Sequence, residues 1–69
     1  MIKSVGDRLF EIFLGGADKM NIALYDVTGK TVMNVAATGD EAVIDTSSLT
    51  PGMYIISVNR RHSQKIIIK

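Results

Sequence analysis

Few side chains in this chain could do chemistry, and their positions decide what kind. His62 is the one histidine and so the one side chain whose ordinary pKa lies near neutrality. It stands between Arg61 and Ser63 in a stretch, Asn59 to Ser63, that reads as an exposed polar hairpin tip. Hydrolysis needs a nucleophile, a base and an orienting group in a pocket that excludes water, which a loop tip does not supply. The seven acids are scattered over turns, and Asp40-Glu41 is the only adjacent pair. Neighbours on a strand point to opposite faces, so the pair does not converge for acid–base work or for calcium. With no cysteine, disulfides, thiolate zinc sites and thiol nucleophiles are excluded, and the redox compartment stays open. Gly15-Gly16 and Gly29-Lys30 set glycine beside glycine or charge, but neither opens a helix that could cradle phosphate. Nucleic-acid binding would fall to a basic C-terminal hairpin without aromatic residues, in a chain of net charge +1. The chemistry reads as that of a non-catalytic module with no cofactor, no metal and no nucleic-acid partner.

The elements that position these residues are short. In 69 residues, of which 46% are hydrophobic and 22% charged, only one small domain fits, 1–69, and its stability is marginal. The apolar residues are largely β-branched, which argues against disorder and against helical low-complexity sequence. No apolar run is long enough to cross a bilayer, and the N-terminus lacks the basic and apolar segments of an export signal. Glycine, proline and Asn/Asp punctuate at strand-length intervals, so the fold is all-β.

Strands are expected at Arg8 to Leu14, with Phe10, Ile12 and Leu14 on one face, and at Met20 to Asp26, with Met20, Ile22 and Leu24 on one face. Asp26-Val27-Thr28-Gly29 reads as a tight hairpin turn, closed by Gly29 at positive φ. A third strand, Lys30 to about Val35, pairs back on the second; its pattern is ambiguous, with Thr31, Met33 and Val35 opposing Val32 and Asn34, and a bulge after the turn would decide the face. Ala36 to Glu41 reads as a loop and Ala42 to Thr46 as a short strand. Leu49 returns to the core after Ser47-Ser48, and Pro51-Gly52 has the residues of a type II turn. Met53 to Val58 is apolar on both faces and belongs near a sheet centre, with Tyr54, Ile56 and Val58 inward. Gln64 to Lys69 closes the chain with Ile66 and Ile68 inward and Lys65, Ile67 and Lys69 outward. Six strands joined mostly by hairpins are enough for an antiparallel β-sandwich of six to seven strands, with room for the seventh at either end.

The charge is polarised. All the acids lie at or before Asp45, whereas residues 60–69 carry Arg60, Arg61, Lys65 and Lys69 with no acid. A tail of this kind is laid across the acidic part or offered to a partner.

Three blocks, in order, resemble the type A C-terminal sorting domain of the Bacteroidetes type IX secretion system. The first is Ile22 to Val32, an apolar run ending in Tyr25-Asp26, two variable residues, Gly29, Lys30 and a valine two places on. The second is Ile44 to Val58, in which an Asp45-led segment and Leu49 precede Pro51-Gly52-Met53-Tyr54. The third is the basic-apolar-basic end Lys65-Ile66-Ile67-Ile68-Lys69. Residues 1–7 lack the proline-containing segment with which such domains usually begin. The resemblance implies an immunoglobulin-like sandwich forming the C-terminal domain of a larger secreted protein. It implies cargo carried from the periplasm through the outer membrane, with the machinery's outer-membrane components and a sortase-like peptidase as partners, and no insertion of the domain itself into the membrane. Gly29 and Gly52 would set turns, Tyr54 would anchor the core, and Lys65 to Lys69 would be the docking strand. At a sheet edge that strand suits β-augmentation or a dimer through edge strands. The competing reading, an adhesion or carbohydrate-binding sandwich, requires an exposed aromatic platform or a converging polar cluster.

Overall fold

The computed structural model describes residues 2–69. Its strands are β1 Ile2–Ser4, β2 Leu9–Phe13, β3 Lys19–Tyr25, β4 Thr31–Thr38, β5 Glu41–Asp45, β6 Gly52–Val58 and β7 His62–Ile68. They form two antiparallel sheets, β1-β2-β5 and β4-β3-β6-β7. In immunoglobulin lettering these are A-B-E and C′-C-F-G, with the fourth strand beside the third. The hidden seventh strand is β1, too short and too polar to show alternation by itself.

Alternation fixes which residues meet between the sheets. β2 and β5 contribute Phe10, Ile12 and Ile44 to the core. From the four-stranded sheet come Met20, Ile22 and Leu24 of β3, Tyr54, Ile56 and Val58 of β6, and Ile66 and Ile68 of β7. Ile22 and Leu24 are wholly buried, and burying each such side chain contributes about 1.5–3 kcal/mol. Leu14 and Leu49 pack against this cluster as expected. β6 lies between β3 and β7, as its two apolar faces require.

Three expected segments differ from the structure. Ala36 to Glu41 is not a loop, because Ala36, Ala37 and Thr38 continue β4 opposite Asn21, Met20 and Lys19, and Glu41 opens β5. Pairing along the whole of β3 overrides the weak strand preference of alanine. Asn59 to Ser63 is not a five-residue loop either. Asn59 and Arg60 take φ of 53° and 57°, Arg61 N donates to Val58 O at 3.1 Å, and β7 begins at His62. Positive φ at both central residues is the mark of a type I′ turn, and the connection shrinks to three residues, Asn59 to Arg61, between the paired Val58 and His62. At Pro51-Gly52 the turn is not type II, since Gly52 has φ of 153° where that turn has about +80°. Gly52 instead starts β6 opposite Ile68.

The expected bulge is present. Leu24 pairs with Met33 and Tyr25 with Thr31, leaving Val32 as the extra residue. Met33 and Val35 therefore lie opposite the buried Leu24 and Ile22, and Val32 joins them against the core.

Candidate functional site

The candidate recognition segment, Lys65 to Lys69, occupies the second half of β7 and the residue after it. β7 pairs only with β6 and forms one edge of the four-stranded sheet. Register places Lys65 opposite Ile55, Ile66 opposite Tyr54, Ile67 opposite Met53 and Ile68 opposite Gly52. Ile66 and Ile68 are buried, while Lys65 and Lys69 are exposed and Ile67 keeps 55% of its surface. One set of side chains thus completes the core, and the other, two lysines about an isoleucine, faces outward beside an unpaired backbone edge.

The segment's end is tied down by a residue that sequence reasoning did not single out. Arg8, in the β1–β2 connection, donates from Nη1 to the Leu49 carbonyl at 2.6 Å and from Nη2 to the Lys69 main-chain oxygen at 2.9 Å. Its own carbonyl accepts from Thr46 N at 2.8 Å and from Thr46 Oγ1 at 2.9 Å. Thr46, fully buried, is the only buried polar residue among those described, and these bonds satisfy it. Arg8 therefore joins the β1–β2 corner, the β5–β6 connection and the chain's last residue.

The motif residues shape the β3–β4 turn and the β5–β6 connection. Tyr25 lies on the outer face of the four-stranded sheet, opposite Ile55. Asp26 organises the β3–β4 turn: its Oδ1 accepts from Thr28 Oγ1 at 2.6 Å, Thr28 N at 2.9 Å and Lys30 N at 3.1 Å, and its carbonyl accepts from Gly29 N at 3.0 Å. Gly29 has φ of 88°, the conformation glycine takes without cost. The Thr28 hydroxyl, followed by the Lys30 and Thr28 amides, holds the Asp26 carboxyl below its ordinary value. Asp45 is lowered in the same way by Ser47, through its hydroxyl and then its amide. Tyr54 anchors the β5–β6 corner. Its ring is buried and its hydroxyl donates to the Thr50 carbonyl at 2.6 Å, four residues upstream, the arrangement known as a tyrosine corner.

The basic tail is not laid across the acidic part by ion pairs, since among the described residues the only ion pair is Lys3–Glu11 at 3.8 Å. His62 is exposed at the start of β7 and lines a shallow groove with Ile2, Ile12 and Phe13, along the side of the sandwich where β1 and β7 are both edge strands.

A family model described as the secretion system C-terminal sorting domain matches residues 7–69. This chain belongs to that family. The match covers all three blocks that resemble the type IX sorting domain and reaches Lys69. No curated protein and no solved structure matches the chain. As a type IX sorting domain it is a targeting tag, addressed to the secretion machinery and, through the outer membrane, to the cell surface or beyond.

Proposed function

We propose that this sorting domain is the C-terminal unit of a larger secreted protein, that it passes through the periplasm, and that the translocation machinery recognises it through Lys65–Lys69. In the same reading a sortase-like peptidase removes the domain from its cargo after export. The observation that carries the proposal is the division of labour within β7. Ile66 and Ile68 are spent on the core, so the free edge, Lys65, Ile67 and Lys69 are available to a receptor without unfolding the sandwich. An edge strand with unpaired N–H and C=O groups provides backbone affinity, and flanking lysines supply both protection against non-specific pairing and a charge to be read. The groove along the β1–β7 side gives an incoming strand an apolar floor at Ile2 and Ile12.

The test places a signal peptide and a folded reporter ahead of residues 1–69 in a bacterium with the type IX machinery. The reporter is expected at the cell surface or in the medium, shortened by about the mass of the domain. A folded reporter that stays in the periplasm overturns the sorting reading. Surface delivery at full length overturns only the cleavage step.

A further inference from the structure

The outer face of the four-stranded sheet holds a groove that neither the core nor β7 uses. Its floor is small: Ala23 at the middle of β3, flanked in register by Asn34 of β4 and Ser57 of β6. Tyr25 stands at one end, and Asn21 with the Asn59-Arg60 turn at the other. From Tyr25 to Asn21 is four residues of strand, about 13 Å, and the space, about 620 Å³, falls in the range of small-molecule sites. Among the described residues no partner is present for the side chains of Asn21, Asn34, Ser57, Tyr25 or Arg60.

We propose that this groove binds a short acidic oligosaccharide, a function beyond the sorting role. The two amides and the hydroxyl both donate and accept, which matches sugar hydroxyls, themselves donors and acceptors. Tyr25 offers a ring face with a polar tip. The backbone beneath is committed to ladders on both sides of β3, so the groove cannot add a peptide strand and recognises its ligand by side chains alone. Among the described residues Arg60 is the only charged side chain lining it, and a guanidinium matches a carboxylate bidentately.

The placement of Arg60 is a second observation. It sits at φ of 57°, where glycine is unstrained and arginine is not. The turn that carries it is bolted to β3: Asn59 Oδ1 accepts from Asn21 N at 2.7 Å, Asn59 N donates to Asn21 O at 2.8 Å and Asn59 Nδ2 to Lys19 O at 3.3 Å. An unfavourable residue held by a rigid turn at the mouth of a polar groove fits a ligand contact.

The test is an NMR titration of the ¹⁵N-labelled chain with trigalacturonate, neutral cellotriose and hexaglutamate. Trigalacturonate is expected to shift the amides of Asn21, Ala23, Asn34 and Ser57 saturably. Arg60→Gly, which relaxes the turn and so keeps the fold, should weaken binding about tenfold, whereas Arg61→Gln outside the groove should not. Cellotriose should bind as weakly as trigalacturonate binds the Arg60→Gly variant. No saturable shift at millimolar trigalacturonate, shifts confined to other residues, or equal affinity in Arg60→Gly overturns the proposal. So does equal binding of hexaglutamate, which would make the groove a general anion site.

Discussion

The guanidinium of Arg8 reaches the main-chain oxygen of Lys69 at 2.9 Å, joining residues 61 positions apart. Through this contact the β1–β2 corner holds the end of the strand assigned to recognition, and the same side chain fixes the Leu49 carbonyl. The proposed docking segment is therefore presented by the folded sandwich as a whole.

Arg8→Met keeps much of the side chain's length but removes both donations. A net loss of about 1–2 kcal/mol is expected, since hydrogen bonds from a charged donor exceed neutral ones. Hydrogen exchange should locate the effect. Amides near the end of β7 should lose more protection than those of central β3, and uniform loss across both strands would contradict a local clasp.

Gly52→Ala tests the corner before β6. An added Cβ would meet only Tyr54 Cε2, at 3.9 Å, so the cost is that of the backbone at φ of 153°, about 1–3 kcal/mol. Tyr54→Phe on the same corner keeps the buried ring and loses the bond to Thr50, about 1 kcal/mol. An unchanged denaturation midpoint in either variant would remove that feature from the account.

The faces of β6 give opposite expectations at adjacent positions. Ile56 is 1% exposed, and Ile56→Ala should cost about 2–5 kcal/mol, enough to unfold much of so small a domain. Ser57 points to the outer face, so Ser57→Lys should cost far less. A reversed order in urea melts would mean the faces are exchanged.

The alternation that makes Ile56 and Ser57 differ is also what made the fold legible. Period-two patterns in β2, β3, β6 and β7 located the core because each strand buries one face, and the resemblance of Ile22–Val32, Ile44–Val58 and Lys65–Lys69 located the family. Ala36–Thr38 was illegible because its strand state comes from pairing with β3 rather than from its own side chains. The Asn59-Arg60 turn was hidden because arginine at positive φ contradicts local preference. Arg8 left no signal, since its acceptors are main-chain oxygens of Leu49 and Lys69, which any residue type would provide.

Acid should weaken the turns at Asp26 and Asp45. Both carboxyls are lowered in the folded chain from an ordinary value of 3.8, so the stability they add is present above the unfolded value. It is lost as pH falls through the folded ones. Calorimetry from about pH 5 downward should show a falling melting temperature. In Asp26→Asn, which keeps an acceptor oxygen but cannot titrate, the fall should be smaller. An equal fall in both would show that Asp26 does not contribute.

The most direct test of recognition through β7 is the fraction of reporter at the cell surface, measured for the wild-type domain and for Lys65→Glu/Lys69→Glu. Both side chains face outward, and Arg8 holds Lys69 by its main chain, so each substitution should alter stability by no more than about 0.5 kcal/mol. Full surface delivery is expected of the wild type, and retention of a folded, periplasmic reporter of the double variant. Equal surface delivery by the two would contradict recognition through β7.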